Sequence, residues 1–245
     1  GQQLLDSSQP YTALNQAWAG AQWVTNELFA ELTLDRMPLG NGTISVPSVD
    51  NERKVNLNIA GEEVLNQAFF LMGVDGTDII PSILSWIDPE EDPVMGGVDS
   101  GFYESLDSPY AYYAKDGPLG DITEMLLIYG VTPELFWGPR GPDRDYMAVS
   151  LTGGMEAEVF EEEFQNPFGL FDLFTTSSDA RLNITTASAN VLQLLEGVDE
   201  SIAQGIVDWR AGVDGMEGTE DDEPFQGVGE LANVPGMIPE ILSAA

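Results

Sequence analysis

Apolar positions recur along this chain with two periods, and the helical period dominates. Leu14, Trp18, Ala21, Val24, Leu28 and Leu32 follow one another at steps of three or four, which predicts a long N-terminal helix. Ser7 or Ser8 is its expected cap, with Pro10 in the first turn. Pro38-Leu39-Gly40-Asn41-Gly42 closes the pattern. Thr43 to Val49 then alternates and is rich in β-branched residues, and Lys54 to Asn58 places Val55 and Leu57 on one face. With the turn Asp50-Asn51-Glu52 between them, these two stretches predict a small antiparallel hairpin. The helical period returns over residues 59–135, broken by the loop Asp88 to Gly101. Residues 136–148 are punctuated by Gly and Pro and read as a connector, and Ala148 to Leu151 as a short strand. Glu156 to Phe164 reads as an acidic helix or loop, and Gly169 to Phe174 as one apolar helical turn. Arg181 to Ile184 resembles Val55 to Asn58 and is placed on or beside the same sheet. The expected class is α+β, a long N-terminal helix and small antiparallel sheet joined to a large helical part. The expected divisions are 1–58 (helix and hairpin), 59–147 (helical insert), 148–184 (return to the sheet) and 185–245 (a second helical stretch).

Inside the helical part the sequence repeats itself. Asn56-Leu-Asn-Ile-Ala-Gly-Glu-Glu-Val-Leu65 lines up without a gap against Asn183-Ile-Thr-Thr-Ala-Ser-Ala-Asn-Val-Leu192. Each opening leads to Gly-Val-Asp (Gly73 to Asp75, Gly197 to Asp199), and then to an apolar stretch ending in Trp86 or Trp209. Each copy closes on a second ungapped match. Pro118, Leu119, Glu124, Met125, Gly130 and Pro133 correspond to Pro224, Phe225, Glu230, Leu231, Gly236 and Pro239. Pro, Glu, Gly and Pro kept at one spacing mark a duplicated structural unit.

Composition narrows the chemistry. The 245 residues are 43% apolar, enough for a core without staples. Cysteine and histidine are both absent, which removes disulfides, thiolate metal sites, thiol nucleophiles and the Ser-His-Asp triad. Lys and Arg total 8 against 42 Asp and Glu, a net charge of -34. Such a surface repels nucleic acid and anionic membranes and favours hard cations. The longest apolar runs are too short to span a bilayer.

The second copy resembles a helix-hairpin-helix unit, whose DNA-binding versions offer hairpin glycines and basic residues to phosphate. Its hairpin carries Asp199 and Glu200 instead, with Arg210 as the nearby cation. A scaffold is therefore preferred, and a nucleic-acid module is the alternative. Paired carboxylates suitable for a glycosidase are inevitable in so acidic a chain. No motif sets such a pair in a cleft, so no enzyme is expected. Two acidic loops are more specific. Asp88, Glu90, Glu91, Asp92 and Asp99 follow Trp86; Asp214, Glu217, Glu220, Asp221, Asp222 and Glu223 follow Trp209. Calcium takes six to eight oxygens from carboxylates and carbonyls in flexible loops. Asp214, Glu217, Glu220, Asp221 and Asp222 are expected to hold one ion, and Asp88, Glu91, Asp92 and Asp99 another, in a structural role.

The order of helix, small sheet, Ser85-Trp-Ile-Asp88-Pro, Gly169-Leu-Phe-Asp-Leu-Phe-Thr-Thr and Leu182-Asn-Ile-Thr-Thr-Ala-Ser188 resembles the K-type minor pseudopilin of the bacterial type II secretion system (general secretion pathway protein K). The resemblance covers most of residues 11–242. It implies a pilin-like fold with a large helical domain inserted and calcium in that domain. It also implies a non-catalytic place at the tip of the periplasmic pseudopilus, with I- and J-type minor pseudopilins as partners. Family members are anchored in the inner membrane by a hydrophobic N-terminal half-helix, which is missing before Gly1 and is expected to have been removed. Sheet strands expected after the second helical unit are not evident. On this resemblance Leu14, Trp18, Val24 and Leu28 form the face shared between the chain's own sheet and partner helices.

Overall fold

Helices form where the apolar period meets a local cap. The computed structural model describes residues 11–19, 37–44, 49–89, 94–107, 111–138, 168–179 and 181–237. In chain order its strands are β1 (Met37–Leu39), β2 (Gly42–Ile44), β3 (Val55–Asn56) and β4 (Phe174–Thr175). Its α-helices are α1 (Glu62–Met72), α2 (Ile79–Ile87), α3 (Ser100–Glu104), α4 (Pro133–Trp137), α5 (Leu170–Leu173), α6 (Ala189–Leu192) and α7 (Glu200–Arg210). The chain divides into two compact units, Lys54–Ala180 on one side and Gly1–Arg53 with Arg181–Ala245 on the other. The class is mixed α and β.

In the unit 54–180, α1 buries Leu65, Ala68, Phe69 and Met72, one stripe of an amphipathic helix. It ends where Gly73 turns left-handed and its N–H returns to Phe69 and Phe70. Helix α2 buries Ile80, Ile83 and Trp86. Strand β3 pairs in parallel with β4, Val55 opposite Phe174 and Asn56 opposite Thr175. Lys54 Nζ lies 4.1 Å from the centre of the Phe171 ring and donates to the Phe171 carbonyl at 2.7 Å. Asn58 bonds Leu119 in both directions, Nδ2 to the carbonyl at 3.0 Å and Oδ1 from the N–H at 2.7 Å.

The unit formed by 1–53 and 181–245 is held by a polar cluster. Asp50 Oδ2 accepts from Asn183 Nδ2 at 2.8 Å and Thr186 Oγ1 at 2.7 Å. Asn183 Nδ2 also donates to the Thr12 carbonyl at 2.9 Å, and the Thr185 hydroxyl donates to the same oxygen. Asn183 N donates to the Glu52 carbonyl at 2.7 Å. Around this cluster Ala187, Val191, Leu192, Ile206 and Phe225 are buried.

Three expectations are corrected here. The expected helix is absent over residues 11–16, which form turns and bends, followed by one 3₁₀ turn, Ala17–Ala19. Gln16 bonds back to Tyr11 and Ala13, and Thr12 serves Asn183 and Thr185, so side chains compete for the groups a helix would use. The rest of the expected helix, residues 20–32, lies outside the described residues. Among the described residues no strand pairing runs across Asp50-Asn51-Glu52; residues 45–48 of its expected first strand lie outside them. Asp50 Oδ1 accepts from Glu52 N at 3.0 Å and turns the chain into a 3₁₀ turn, Asn51–Arg53. The antiparallel ladder is one step earlier, β1 on β2, around Gly40-Asn41 with Gly40 at φ +62°. Lastly, Arg181 to Ile184 joins no strand; β3 takes β4 as partner, and Asn183 starts a turn in which its carbonyl accepts from Thr186 and Ala187. The turn of helix expected at Gly169 to Phe174 is α5. Ala148 to Leu151 and Glu156 to Phe164 lie outside the described residues.

The duplication is visible bond by bond. Asn56 Oδ1 accepts from Asn58 N at 3.0 Å, and its counterpart Asn183 Oδ1 accepts from Thr185 N at 3.0 Å. Each copy ends in a matching 3₁₀ turn, Ile122–Leu127 and Val228–Asn233. Ile128 N bonds Met125 O, and Val234 N bonds Leu231 O, both at 3.0 Å. Glu124 takes the N–H of Gly120 and Glu230 that of Gln226, both at 2.8 Å. Gly130 and Gly236 both take positive φ, +83° and +86°. A Cβ on Gly130 would stand 2.8 Å from Ile79 Cγ1, and one on Gly236 3.5 Å from Ile202 Cγ1. These are the same two helix positions.

Candidate functional site

The two acidic loops hang from the same joint, after the Trp helix and before the Pro118 or Pro224 segment. Each is closed at its neck by a backbone bond, Gly117 N to Trp86 O at 3.1 Å and Glu223 N to Arg210 O at 2.9 Å. The second loop winds back on itself at Gly212, whose φ is +65° and where any Cβ would collide with the Asp221 carbonyl.

Its carboxylates organise its own backbone. Asp221 Oδ2 accepts from Val213 N at 2.7 Å and Asp214 N at 3.0 Å, and Oδ1 lies 2.8 Å from the Thr219 hydroxyl. The Thr219 hydroxyl, and then these N–H groups, hold the Asp221 carboxyl below the usual range. Asp222 Oδ2 accepts from Gly218 N at 2.8 Å and Oδ1 from Thr219 N at 3.2 Å. Asp214 Oδ1 accepts from Met216 N at 2.8 Å. Asp214, Glu217, Glu220 and Asp221 are exposed and Asp222 is half-buried.

Arg210 anchors this loop from beneath. Its side chain is 3% exposed, with Nε 2.6 Å from Glu217 Oε1 and Nη1 2.6 Å from the Ile184 carbonyl. Burial pulls its guanidinium down from its ordinary value, and Glu217 pulls it back up. The guanidinium therefore ties the acidic loop to the Asn183–Thr186 turn. In the sequence Arg210 stands out only as a cation near the hairpin. Its signal was a lone basic residue ending an apolar helix within an acidic stretch.

The first loop is described in part. Asp88 is half-buried and its N–H closes α2 on Leu84 O at 3.0 Å. Asp99 is exposed and caps α3, with Oδ1 accepting from Phe102 N at 3.0 Å. Glu91 and Asp92 lie outside the described residues. Beside this loop Trp86 is 3% exposed and meets Tyr103 edge-on at 5.2 Å and Tyr112 at 6.2 Å.

Oxygen donors on Gly-permitted turns suit a hard cation chemically. Among the described residues, however, no three acidic side chains gather where a metal ion could be held. Asp221, Asp222 and Asp214 are turned to backbone N–H groups, and Glu217 to Arg210. An ion in the second loop would need one or two of these carboxylates together with carbonyl oxygens. Of the residues expected at a partner interface, Trp18 is 8% exposed, with Nε1 donating to Gln16 Oε1 at 2.9 Å. Leu14 is half-buried. Val24 and Leu28 lie outside the described residues. No helix among the described residues is long and apolar enough to cross a membrane.

Among the described residues the arrangement is one of duplicated helical units with an acidic loop at the same joint in each. Comparison with known proteins adds two likenesses. Residues 49–137 match the family model described as Type II secretion system (T2SS), protein K. The resemblance read at Ser85-Trp-Ile-Asp88-Pro falls within these residues. The fold is similar to that in the crystal structure of the GspK-GspI-GspJ complex from the enterotoxigenic Escherichia coli type 2 secretion system. There the TM-score is 0.56 and the identity 17%, over 95% of this chain and 70% of that one. No curated protein matches the chain.

Proposed function

We propose that the protein is a minor pseudopilin at the tip of a type II secretion pseudopilus, where it assembles with I- and J-type partners. The family-model match over residues 49–137 carries this reading, and the likeness to a chain of the GspK-GspI-GspJ complex supports it. The helical bulk built from two helix-hairpin-helix-like units caps the assembly, because another subunit cannot stack above it. The pilin-like part is the N-terminal segment with its small sheet, anchored at the periplasmic face of the inner membrane. Coexpression with I- and J-type partners followed by size exclusion tests the role. A three-component complex at micromolar concentration is expected; separate elution of this chain overturns it.

The nucleic-acid alternative is disfavoured by the local geometry. The N-terminus of α7, where a phosphate would sit, is already filled by Asp199, whose Oδ1 accepts from Ile202 N at 2.9 Å. Calcium remains part of the proposal, held by the loop Asp214 to Asp222 and by the loop containing Asp88 and Asp99. Melting with calcium and with EGTA tests it. Free calcium at about 100 times its Kd adds about 2.7 kcal/mol, which raises the midpoint by several degrees. Identical midpoints leave both loops metal-free.

A further inference from the structure

Trp86 and Trp209 stand at one place in the two copies, but their surroundings differ. Trp86 is 3% exposed and covered edge-on by Tyr103 and Tyr112, which the longer first insertion brings back over it. The shorter second insertion, residues 211–223, contains no aromatic residue. Trp209 is 36% exposed, stacked at 17° and 6.4 Å on Phe225, the counterpart of Leu119. The loop that follows it in the chain exposes further apolar side chains, Val213 at 96% and Met216 at 63%. We infer that the Trp209 face docks a segment of a partner polypeptide that presents an aromatic ring beside lysine or arginine.

Both halves of that description come from the molecule. The ring is what the first copy places on the equivalent tryptophan, in the edge-on geometry aromatic pairs favour. The basic residues follow from the rim. Asp208, Asp214, Glu220, Asp221 and Glu223 are exposed around this end of α7, while Arg210 is turned inward onto Glu217. A basic flank would be steered by that rim and the ring would supply the buried contact. The inference stands apart from the secretion role, since it depends on the duplication and the local charge alone.

Fluorescence anisotropy of labelled peptides against the full chain tests it, with three probes of one length: lysine with tyrosine, lysine with serine, and glutamate with tyrosine. The lysine–tyrosine peptide is expected to bind about tenfold tighter than either other probe, and to lose about tenfold on Trp209→Ala. Trp209→Phe should restore most of that loss, which separates a lost ring from a misfolded face. Equal binding to wild type and Trp209→Ala overturns the inference. So does a lysine–serine peptide that binds as tightly, or no binding of the lysine–tyrosine peptide at millimolar concentration. A K–I–J complex that fails to form would sink the secretion role without touching this result.

Discussion

The two copies share a backbone plan and differ in how each finishes its surface. In the first, the insertion after Trp86 folds into α3 and an aromatic cluster, so that Tyr103 is 1% exposed and its hydroxyl accepts from Tyr129 N at 3.1 Å. In the second, the insertion after Trp209 stays a polar loop, pinned by carboxylates above and by Arg210 below. The residue following each tryptophan marks the divergence: Ile87 in one copy and Arg210 in the other. Duplication has preserved what the backbone needs, the Asn turn, the Glu cap and the left-handed glycine. The side chains facing the insertions were free to change.

The largest test of this contrast is the tryptophan pair. Trp86→Ala empties a covered site and should cost about 3–5 kcal/mol, whereas Trp209→Ala should cost below about 1 kcal/mol, both by denaturant unfolding. Equal costs would mean that the exposed copy is packed as the covered one is. Next comes the glycine pair. Both alanine variants strain a positive φ, about 1 kcal/mol for Gly236→Ala, and Gly130→Ala adds the collision with Ile79 for a total of about 2–3 kcal/mol. The opposite ranking would break the alignment of the two turns. Arg210→Ile writes the first copy's residue into the second. It leaves the Ile184 carbonyl and Glu217 without their donor and should cost about 1–3 kcal/mol. Hydrogen exchange should show faster loss at Val213 and Asp214; unchanged exchange would show that the loop holds itself.

The smallest effect is the pH dependence that the Lys115–Glu124 pair gives the first copy. Hydrogen bonding from Lys115 holds the Glu124 carboxyl below its ordinary value. A depressed carboxyl stabilises the fold above its unfolded value near about 4.3, and that contribution disappears as pH falls through the folded value. Because Lys115 and Glu124 are partly solvated, the contribution stays below about 1 kcal/mol. Glu124→Gln should therefore flatten the stability profile on the acid side, measured by urea midpoints from neutral pH downward. A slope identical to wild type would remove Lys115 from the account.

Much of the helical part was legible because its signals are local. Apolar spacing marks α1, α2 and α7, and the ungapped matches coincide with hydrogen bonds that recur in both copies. What escaped depends on distant residues. Residues 11–16 have a helix's apolar spacing, but Thr12 and Gln16 are committed to side-chain partners that no periodicity reveals. Strand β3 was foreseen at Val55, yet its partner Phe174 lies far along the chain and pairs over two residues. Gly40-Asn41 carries a hairpin signal inside a Pro/Gly stretch that equally marks the end of a helical pattern. At the candidate site, composition marked the acidic loops but could not tell whether a carboxylate serves a cation or a backbone N–H. For Asp221 and Asp222 the described partners are N–H groups and a hydroxyl.

The closed necks of the two loops have a consequence for how such a chain tolerates change. Since Gly117 meets Trp86, and Glu223 meets Arg210, the ends of each insertion are fixed before its contents matter. Lengthening a tethered loop adds entropy that grows only with the logarithm of its length, about 0.6 kcal/mol per doubling. The two joints are therefore sockets, into which segments of unequal size were spliced while the helices beneath kept their register. A foreign sequence, such as a small fluorescent reporter, could be spliced between Val213 and Asp221 on the same terms.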